Sequence, residues 1–430
     1  MSVMAVVGAQ WGDEGKGKVV DELGARADYV VRYQIGGNAG HRVVRDGMEF
    51  TFHLVPAGIL HERTTCIIGN GAVIDPRALL DEMDKLQRLG VDLSRLQISE
   101  RAHVVMPYHV VLDRLEDEGR GPDWTGTTMP GVGPAYVDKY SRTGIRMADL
   151  LDVDHFRGKL AAALERKNRM ITQIYGQAPL SLEEIHTEYF GYTQRLRPHI
   201  ADTQSLLQEA LVDGRSILLE GAQGALMDVD FGTYPFVTSS STVVGNASTG
   251  AGLPPRSIGY VLGVYKAYIT RVGSGPCPTE LRSAEGDRLR ERGREGARDG
   301  VHRRKRRCGW FDAVTGRFIA QINGFDSAAI TKLDVLDGFP TVKLCTSYRL
   351  NDRELRTPPA NPTDMAACEP LYEELPGWRE DTSAATRWED LPANARGYLS
   401  RVEELLQTPL ALVSVGPGRG QTIHLRELTL

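Results

Sequence analysis

The chain is poor in cysteine, has no long apolar run and carries no large excess of either charge. Its five cysteines among 430 residues are dispersed without a C-x-x-C pair, which excludes a disulfide framework and indicates reduced thiols. No stretch approaches the ~18 apolar residues of a membrane span, and no leader-like segment opens the chain. We therefore expect a cytoplasmic protein with no membrane contact. A net charge of −5 gives no general attraction to nucleic acid.

Apolar strand-like runs alternate with helical segments, a pattern typical of a large α/β fold. Strands are predicted at 3–7 and 29–34 and in "TTCIIGNG", "RSILLEGAQG" and "AAITKLDVLDG", with a hairpin turning at 46–47 and a helix from Pro76. The predicted architecture is one domain, 1–430, built on a large, mainly parallel twisted sheet with helices on its faces. Residues 153–213 are predicted to form a helical insertion, and 350–400 a surface excursion.

One glycine-rich loop, "GAQWGDEGKGK", follows the first predicted strand. Residues 12–18 fit the phosphate-loop pattern G-x-x-x-x-G-K, but Val19 stands where a Ser or Thr would hold magnesium. Glycines let backbone N–H groups approach an anion, whereas Asp13 and Glu14 would repel phosphate unless a metal ion intervenes or a proton is to be removed. For this loop alone, a tight strand-to-helix turn with solvated charges is an equal alternative.

The whole string resembles the N-terminal motif of adenylosuccinate synthetases, and further motifs resemble that family in its order along nearly the whole chain. They are "RYQIGGNAGH", "GTTMPGVGPAYVDK", "LEGAQGALMDVDFGTYPFVTSS", "TRVGSGPCPTEL", "RRCGWFD", "TKLDVLDG" and "LPGW". The resemblance implies a GTP-dependent ligase of the AMP branch of purine synthesis. GTP phosphorylates the 6-oxygen of IMP, and the amine of aspartate then displaces the phosphate.

The resemblance also implies the catalytic groups. Asp13 matches the base that takes the N1 proton of IMP, and His41 matches the acid that stabilises charge on the 6-oxygen and the transferring phosphoryl group. Lys16 and Gln223 complete the expected catalytic set. Asp13 and the Gly40 carbonyl would hold Mg²⁺, which would explain the missing hydroxyl.

The remaining expected site residues fall into two sets. A buried aspartate can accept two hydrogen bonds from guanine and would leave adenine mismatched, so Asp334 is expected to select GTP. The expected GTP-binding residues are Gly12, Gly15, Gly17, Lys18, Lys332, Asp334, Ser414 and Gly416. The expected IMP- and aspartate-binding residues are Asn38, Thr128, Arg142, Thr238, Val272, Arg304 and Arg306. Arg142 would reach the site of a second subunit, so a homodimer is expected.

The chain departs from its family in several loops of the expected site. Gly37 precedes "NAGH" where the family has Asn or His, Arg42 replaces Thr, and "GTTGRG" and "HGTYP" have become "GTTMPG" and "FGTYP" at Pro130 and Phe231. The threonines of the family's "TTTGRPRR" are replaced by Val301 and His302. These departures leave an alternative open, a paralogue of the same reaction type with a different purine nucleotide or amino donor. Retention of Asp13 counts against the branch that aminates a 2-aminopurine nucleotide.

Two other classes of protein fit the sequence less well. Residues 282–307 hold eleven basic and five acidic residues, but the first part alternates in sign like a solvated helix and no aromatic platform interleaves the second. Nucleic-acid binding is therefore not expected. A GTP-switch regulator would need the hydroxyl that Val19 replaces, so this class is also disfavoured.

Overall fold

The computed structural model describes residues 3–37, 40–45, 47–119, 129–296, 305–428 and 430. Its strands are β1 Val3–Gly8, β2 Tyr29–Arg32, β3 His41–Arg45, β4 Met48–Phe52, β5 Thr65–Ile68, β6 Val73–Ile74, β7 Leu96–Ser99, β8 His103–Val104, β9 Ile200–Ala201, β10 Ile217–Glu220, β11 Tyr260–Lys266, β12 Ile269–Arg271, β13 Arg307–Gly309, β14 Phe311–Asp312, β15 Ser327–Thr331, β16 Thr341–Leu350, β17 Arg353–Leu355, β18 Glu369–Pro376, β19 Leu410–Ser414 and β20 Thr422–His424. Its α-helices are α1 Lys16–Gly24, α2 Pro76–Arg88, α3 Pro107–Gly119, α4 Val132–Ser141, α5 Val153–Arg169, α6 Leu182–Leu196, α7 Thr203–Val212, α8 Gly245–Ala251, α9 Ala284–Arg292, α10 Ala313–Asn323, α11 Pro362–Ala367 and α12 Ala393–Leu406.

A large sheet organises the molecule. Within the described ranges it has ten strands in the order β20-β19-β15-β11-β1-β10-β2-β5-β7-β9, and only β20 runs antiparallel to its neighbour. The prediction of a mainly parallel sheet is confirmed. The central strand β1 is apolar throughout because both faces of such a sheet are covered. Val3, Ala5 and Val7 pack into one hydrophobic core, and Met4 and Val6 into the core on the opposite face.

Local sequence explains several boundaries. Helix α2 begins at Pro76, whose missing N–H costs nothing at the first helical position, and the Asp75 carboxylate accepts from the backbone N–H groups of Arg77 and Ala78. Strands β3 and β4 form the predicted antiparallel hairpin. Gly47 in its turn has φ +78°, a conformation that glycine adopts without steric cost.

Both predicted subdivisions contain regular structure. Helices α5, α6 and α7 lie in 153–213, but β9 within that range joins the edge of the main sheet. In 350–400, β18 pairs with β16 in a smaller sheet that also holds β14 and β17. The limits of the insertion and excursion stay predictions. Among the described helices, none is long and apolar enough to cross a membrane.

Candidate active site

Charged residues end three parallel strands of the main sheet and are completely buried. Arg32 ends β2, Glu220 ends β10 and Lys266 ends β11, each with 0% of its surface exposed. The carboxyl ends of parallel strands share one edge of a sheet, where α/β proteins bind ligands. Burial of a charge is costly unless it is paired, so this edge is a strong candidate for the active site.

The glycine-rich loop leaves β1 at this edge and folds around its own carboxylate. Glu14 Oε1 accepts hydrogen bonds from the backbone N–H groups of Gln10 at 3.0 Å and Gly12 at 2.8 Å. Its Oε2 lies 2.6 Å from Lys16 Nζ, and both side chains are buried. Gly8 is required by close packing, since a Cβ there would lie 2.4 Å from the Gln223 carbonyl oxygen. The loop therefore binds one carboxylate, its own, with backbone N–H groups and a lysine, which are the kinds of donor that anion sites use.

Four expected site residues other than glycine have left-handed backbones, which side chains rarely adopt. The φ angles are +60° at Asp13, +55° at Gln223, +58° at Lys332 and +64° at Arg142, the residue expected to reach the site of a second subunit. Such conformations cost of order 1–3 kcal/mol each and cluster at functional sites. Residues expected in the site from the sequence motifs thus also have strained backbones, which supports their assignment to a functional site.

Asp13 faces an arginine from a distant part of the chain. Its Oδ2 accepts from Arg306 Nε at 2.5 Å, and 35% of the Asp13 side chain stays exposed. Partial burial opposes ionisation of Asp13, but Arg306 and Lys266 outweigh it and hold the pKa of Asp13 well below its usual range. In this arrangement Asp13 is an anion and a weak base.

His41 is oriented by the buried charges. Its Nδ1 lies 2.5 Å from Glu220 Oε1, which also pairs with Arg32 Nη2 at 3.0 Å, while Glu220 Oε2 accepts from Ala57 N at 3.0 Å. Burial, together with the Arg32 charge, lowers the pKa of His41 to about 4, so the ring is neutral at pH 7 and donates through Nδ1–H. Nε2 has no hydrogen-bond partner among the described residues and is available to a ligand.

A second group of expected residues meets beside the loop. Lys18 Nζ donates to Ser414 Oγ at 2.7 Å and to the Gly416 carbonyl at 2.8 Å, and burial lowers its pKa to about 8. Burial, reinforced by Asp337, raises the pKa of Asp334, whose Oδ1 is buried without a partner in the described part of the chain. A buried orphan acceptor is costly, which indicates a ligand with N–H donors.

Lys332 approaches Asp334 from a buried ion cluster. Its Nζ lies 2.5 Å from Glu295 Oε1, which also accepts from the Tyr268 hydroxyl at 2.7 Å. The backbone turn of Lys332 thus carries both a cation and, two residues later, the unpartnered carboxylate oxygen.

The other expected binding residues are more scattered. Thr238 is buried and donates its backbone N–H to the Met227 carbonyl at 2.9 Å, and Val272 is half-buried just after β12. Arg142 is exposed at the end of α4, with φ +64°. Asn38, Thr128 and Arg304 lie outside the described residues, so the structure does not place them.

Two of the departures from the family touch each other. A Cβ added at Gly37 would lie 3.6 Å from Pro130 Cβ, so these loops pack together. Arg42 pairs with Glu49 at 3.3 Å across the hairpin, with 36% of its side chain exposed. Phe231 is exposed, and the Val301 and His302 replacements are outside the described ranges.

The expected site residues did not include the buried charges that hold the site together, namely Arg32, Glu220, Lys266 and Glu295, although Arg32 and Glu220 lie within two of the motifs. The sequence offers one sign of the first three, since "YVVR", "ILLE" and "YVLGVYK" are apolar strands that end on a charge. A charge at the last position of a buried parallel strand predicts a polar site at the carboxyl edge.

Comparisons with known proteins agree with one another. The family model described as adenylosuccinate synthetase matches residues 5–423. A curated adenylosuccinate synthetase of Heliobacterium modesticaldum is 52% identical over 99% of this chain and 100% of its own, and that of Moorella thermoacetica is 53% identical over 99% of both. The fully ligated adenylosuccinate synthetase of Plasmodium falciparum superposes with TM-score 0.92 at 35% identity, covering 99% of this chain and 100% of that one. The cyanophage S-2L succinoaminodeoxyadenylate synthetase shares the fold at TM-score 0.63 and 20% identity, covering 99% and 96% of the two chains.

Proposed function

The chain belongs to the adenylosuccinate synthetase family, and from this premise we propose which of its residues carry out the reaction. The protein is a ligase that uses GTP to phosphorylate the 6-oxygen of IMP and joins the product to aspartate, giving adenylosuccinate. The alternative of a paralogue with other substrates is not favoured, since the curated relatives above match over the full chain. The assignments below rest on one observation, the convergence of Asp13, Lys16, His41 and Gln223 at the carboxyl edge of the sheet. A Cβ added at Gly8 would lie 2.4 Å from the Gln223 carbonyl oxygen and 2.7 Å from Lys16 Nζ, and one added at Gly17 would lie 2.9 Å from His41 Cβ.

Phosphorylation comes first in the proposed mechanism. Asp13 takes the N1 proton of IMP and makes the 6-oxygen nucleophilic, while His41 and Lys16 stabilise the charge that develops on the transferring phosphoryl group. Glu220 fixes the tautomer of His41 by accepting from Nδ1, so that Nε2 faces the reaction. Negative phosphate oxygens beside Nε2 favour the protonated ring, which makes His41 an acid only when the nucleotides are bound.

Arg306 has two partners in this proposal, Asp13 before the substrates bind and the aspartate substrate afterwards. As long as its guanidinium contacts Asp13, the Asp13 carboxylate is a weak base, so IMP binding must break this contact before the first step. The carboxylates of aspartate can then bind the freed guanidinium in a bidentate manner. We assign Arg306, with Arg304, to the aspartate carboxylates, and Gln223, Asn38, Thr128, Thr238 and Val272 to IMP.

The guanine base is assigned to the pocket of Lys18, Lys332, Asp334, Ser414 and Gly416. Guanine N1–H and its 2-amino group would satisfy the orphan Asp334 oxygen, whereas adenine has an acceptor at N1 and no 2-amino group. Gly12, Gly15 and Gly17 would leave room for the triphosphate against the loop.

A magnesium ion fits the chemistry of the donors. The partly exposed Asp13 carboxylate and the backbone carbonyl of the exposed residue Gly40 would supply oxygen ligands. No group of three metal-binding side chains occurs among the described residues, so phosphates and water would complete the shell, as is usual for Mg²⁺. The ion would neutralise phosphate charge next to Asp13.

A homodimer and a cytoplasmic location complete the proposal. Val137 and Tyr140 on the outer face of α4 are 64% and 74% exposed, next to Arg142. An apolar patch beside an exposed arginine fits a subunit interface that delivers Arg142 to the IMP phosphate of the partner.

Five free, buried cysteines suit a reducing compartment.

Isotope scrambling in GTP tests the role of Asp13 in phosphoryl transfer to IMP separately from the later reaction with aspartate. With heavy oxygen in the β–γ bridge, reversible transfer of the γ-phosphoryl group to IMP lets the GDP oxygens rotate and scrambles the label, even without aspartate. We expect Asp13→Ala to suppress scrambling at least ~100-fold and Arg306→Leu to preserve it while losing adenylosuccinate formation. The exposed Asp81→Ala on α2 is the matched control.

The outcomes separate the two assignments. Scrambling by Asp13→Ala at the rate of the control would refute Asp13 as the base. Loss of scrambling in Arg306→Leu, with an unchanged thermal transition, would place Arg306 in the first step and refute its assignment to aspartate.

A further inference from the structure

Glu295 divides its two carboxylate oxygens between opposite parts of the site. Oε1 lies 2.5 Å from Lys332 Nζ, in the proposed guanine pocket, and 2.7 Å from the Tyr268 hydroxyl. Oε2 lies 3.4 Å from Arg306 Nε, in the proposed aspartate site. One carboxylate therefore contacts a binding group for each of two substrates.

Residues 292–295 also form hydrogen bonds to the backbone of the proposed guanine-binding turn, residues 332–335. Arg292, the last residue of α9, donates from Nε to the Val335 carbonyl at 2.9 Å and from Nη2 to the Asp334 carbonyl at 3.1 Å. Lys332 Nζ donates back to the Gly293 carbonyl at 3.2 Å. Residues 292–295 thus move with the turn that carries Lys332 and Asp334.

The segment is equally connected to Arg306. The backbone N–H of Arg306 donates to the Glu295 carbonyl at 3.2 Å, and Arg290 Nε donates to the Arg306 carbonyl at 2.9 Å. A shift of Glu295 is therefore transmitted to Arg306 through both backbone and side chain.

Because Glu295 is buried, water cannot easily take the place of its carboxylate beside the neighbouring cations. Only 3% of its surface is exposed, and it faces three cations, the third being Lys266 Nζ at 3.8 Å. Without the carboxylate, the buried Lys266 and the partly buried Arg306 and Lys332 would face one another with no anion between them and would repel one another. Their positions consequently depend on this anion.

We propose that Glu295 is a positioning residue that couples the guanine-binding turn to Arg306, so that binding of the guanine nucleotide and of aspartate strengthen each other. The inference rests on the roles proposed above for Lys332 and Arg306. Guanine binding orders Lys332, Lys332 fixes Glu295, and Glu295 holds Arg306 where it meets the aspartate carboxylates. Linkage requires that the effect be reciprocal in the binding constants.

Glu295→Gln tests the coupling with little change in shape, and Glu295→Asp restores the charge on a shorter side chain. Glu291→Gln, an exposed position of α9, is the matched control. We measure dissociation constants of GDP and of aspartate by calorimetry, each with and without the other, in the presence of IMP. GDP carries the guanine base but cannot transfer a phosphoryl group, so equilibrium holds.

In the native protein and Glu291→Gln we expect aspartate to tighten GDP binding about tenfold, with the same factor in the reverse direction. In Glu295→Gln the factor falls to about one, and the KM values for GTP and aspartate rise about tenfold while that for IMP is unchanged. Glu295→Asp recovers part of the coupling.

Several results would overturn the proposal. One is coupling in Glu295→Gln equal to that of the native protein. Another is a rise in the KM for GTP or for aspartate but not for both. A third is an equal rise in the KM values for GTP, aspartate and IMP that Glu295→Asp does not reverse. If Glu295→Gln does not fold, coupling in Glu295→Asp equal to that of the native protein contradicts the inference, and a reduced factor supports it. If Lys332→Ala leaves the KM for GTP unchanged, or Arg306→Leu that for aspartate, the underlying residue assignment fails instead.

Discussion

The proposed guanine pocket and the proposed IMP side of the site are built in different ways. Lys332, Asp334 and Ser414 are at or just after the ends of β15 and β19 in the main sheet, where Lys332 donates to Glu295 and Ser414 accepts from Lys18. Thr238 and Val272 lie in irregular segments between elements, and Arg142 is exposed on the far end of α4. Residues at the end of a rigid strand hold a fixed position and can recognise one base, whereas the sequence of a loop can change without destabilising the core.

The sequence departures follow the same division. Gly37, Pro130 and Phe231 belong to the loops of the IMP side, and Gly37 packs against Pro130. The residues assigned to guanine match the family pattern. We infer that the GTP half of the reaction is conserved in this chain and that any adjustment concerns the other two substrates.

The largest effect is expected from subunit mixing, which tests whether the IMP side is shared between two chains. Asp13→Ala and Arg142→Leu should each lower activity at least ~100-fold as pure proteins. A mixed dimer carries one site with both native groups, so random exchange should restore about a quarter of the native activity. Activity is measured after exchange, which labelled subunits verify. Lack of recovery despite exchange would mean that Arg142 acts in its own subunit.

The guanine pocket is tested by Asp334→Asn. The amide can donate to the C2 carbonyl of xanthine but is mismatched to the guanine N–H groups. We therefore expect GTP efficiency to fall about tenfold or more and that of xanthosine triphosphate to rise. The kcat/KM values for both nucleotides are compared, with ATP as the control. Native protein that uses ATP as well as GTP would refute the pocket.

Another prediction concerns stability rather than activity: burial of His41 makes the folded protein less stable at acid pH. Its folded pKa of about 4 lies below the ordinary 6.5, so the unfolded chain binds the proton first as pH falls. Stability is lost between about pH 6.5 and 4, by on the order of 3 kcal/mol. Thermal transitions across this range should be flatter in His41→Asn than in the native protein or in His155→Asn, an exposed control. Identical slopes in all three proteins would contradict the burial argument.

The sequence predicted the strand-end part of the site because polar, glycine-rich loops directly after apolar strands indicate a ligand site at the carboxyl edge of a sheet. The resemblance to the family then assigned Asp13, Lys16, Lys332 and Ser414 to the site, and the parallel sheet brings the ends of their strands to one edge. The roles assigned to these residues stay predictions until they are measured.

Glu295 could not be predicted, and the reason is physical. It follows a run in which Arg and Glu alternate, which in sequence is typical of a solvated helix. Its burial arises only when α9 packs against the turn at 332–335, a contact between residues distant in the chain. The pairing of Arg32 with Glu220 could not be predicted either, since no local pattern pairs the end of one strand with that of another.

The most direct test of the central account is a GTP-dependent phosphate-release assay in which purine nucleotides are crossed with amino acids. The assay varies the substrates of the IMP side of the site, where the sequence departs from its family, and keeps GTP constant. The account predicts that IMP with aspartate gives the highest kcat/KM and that omission of either abolishes release. Preference for another pair by about tenfold or more, or ~1.4 kcal/mol of transition-state binding, would contradict it.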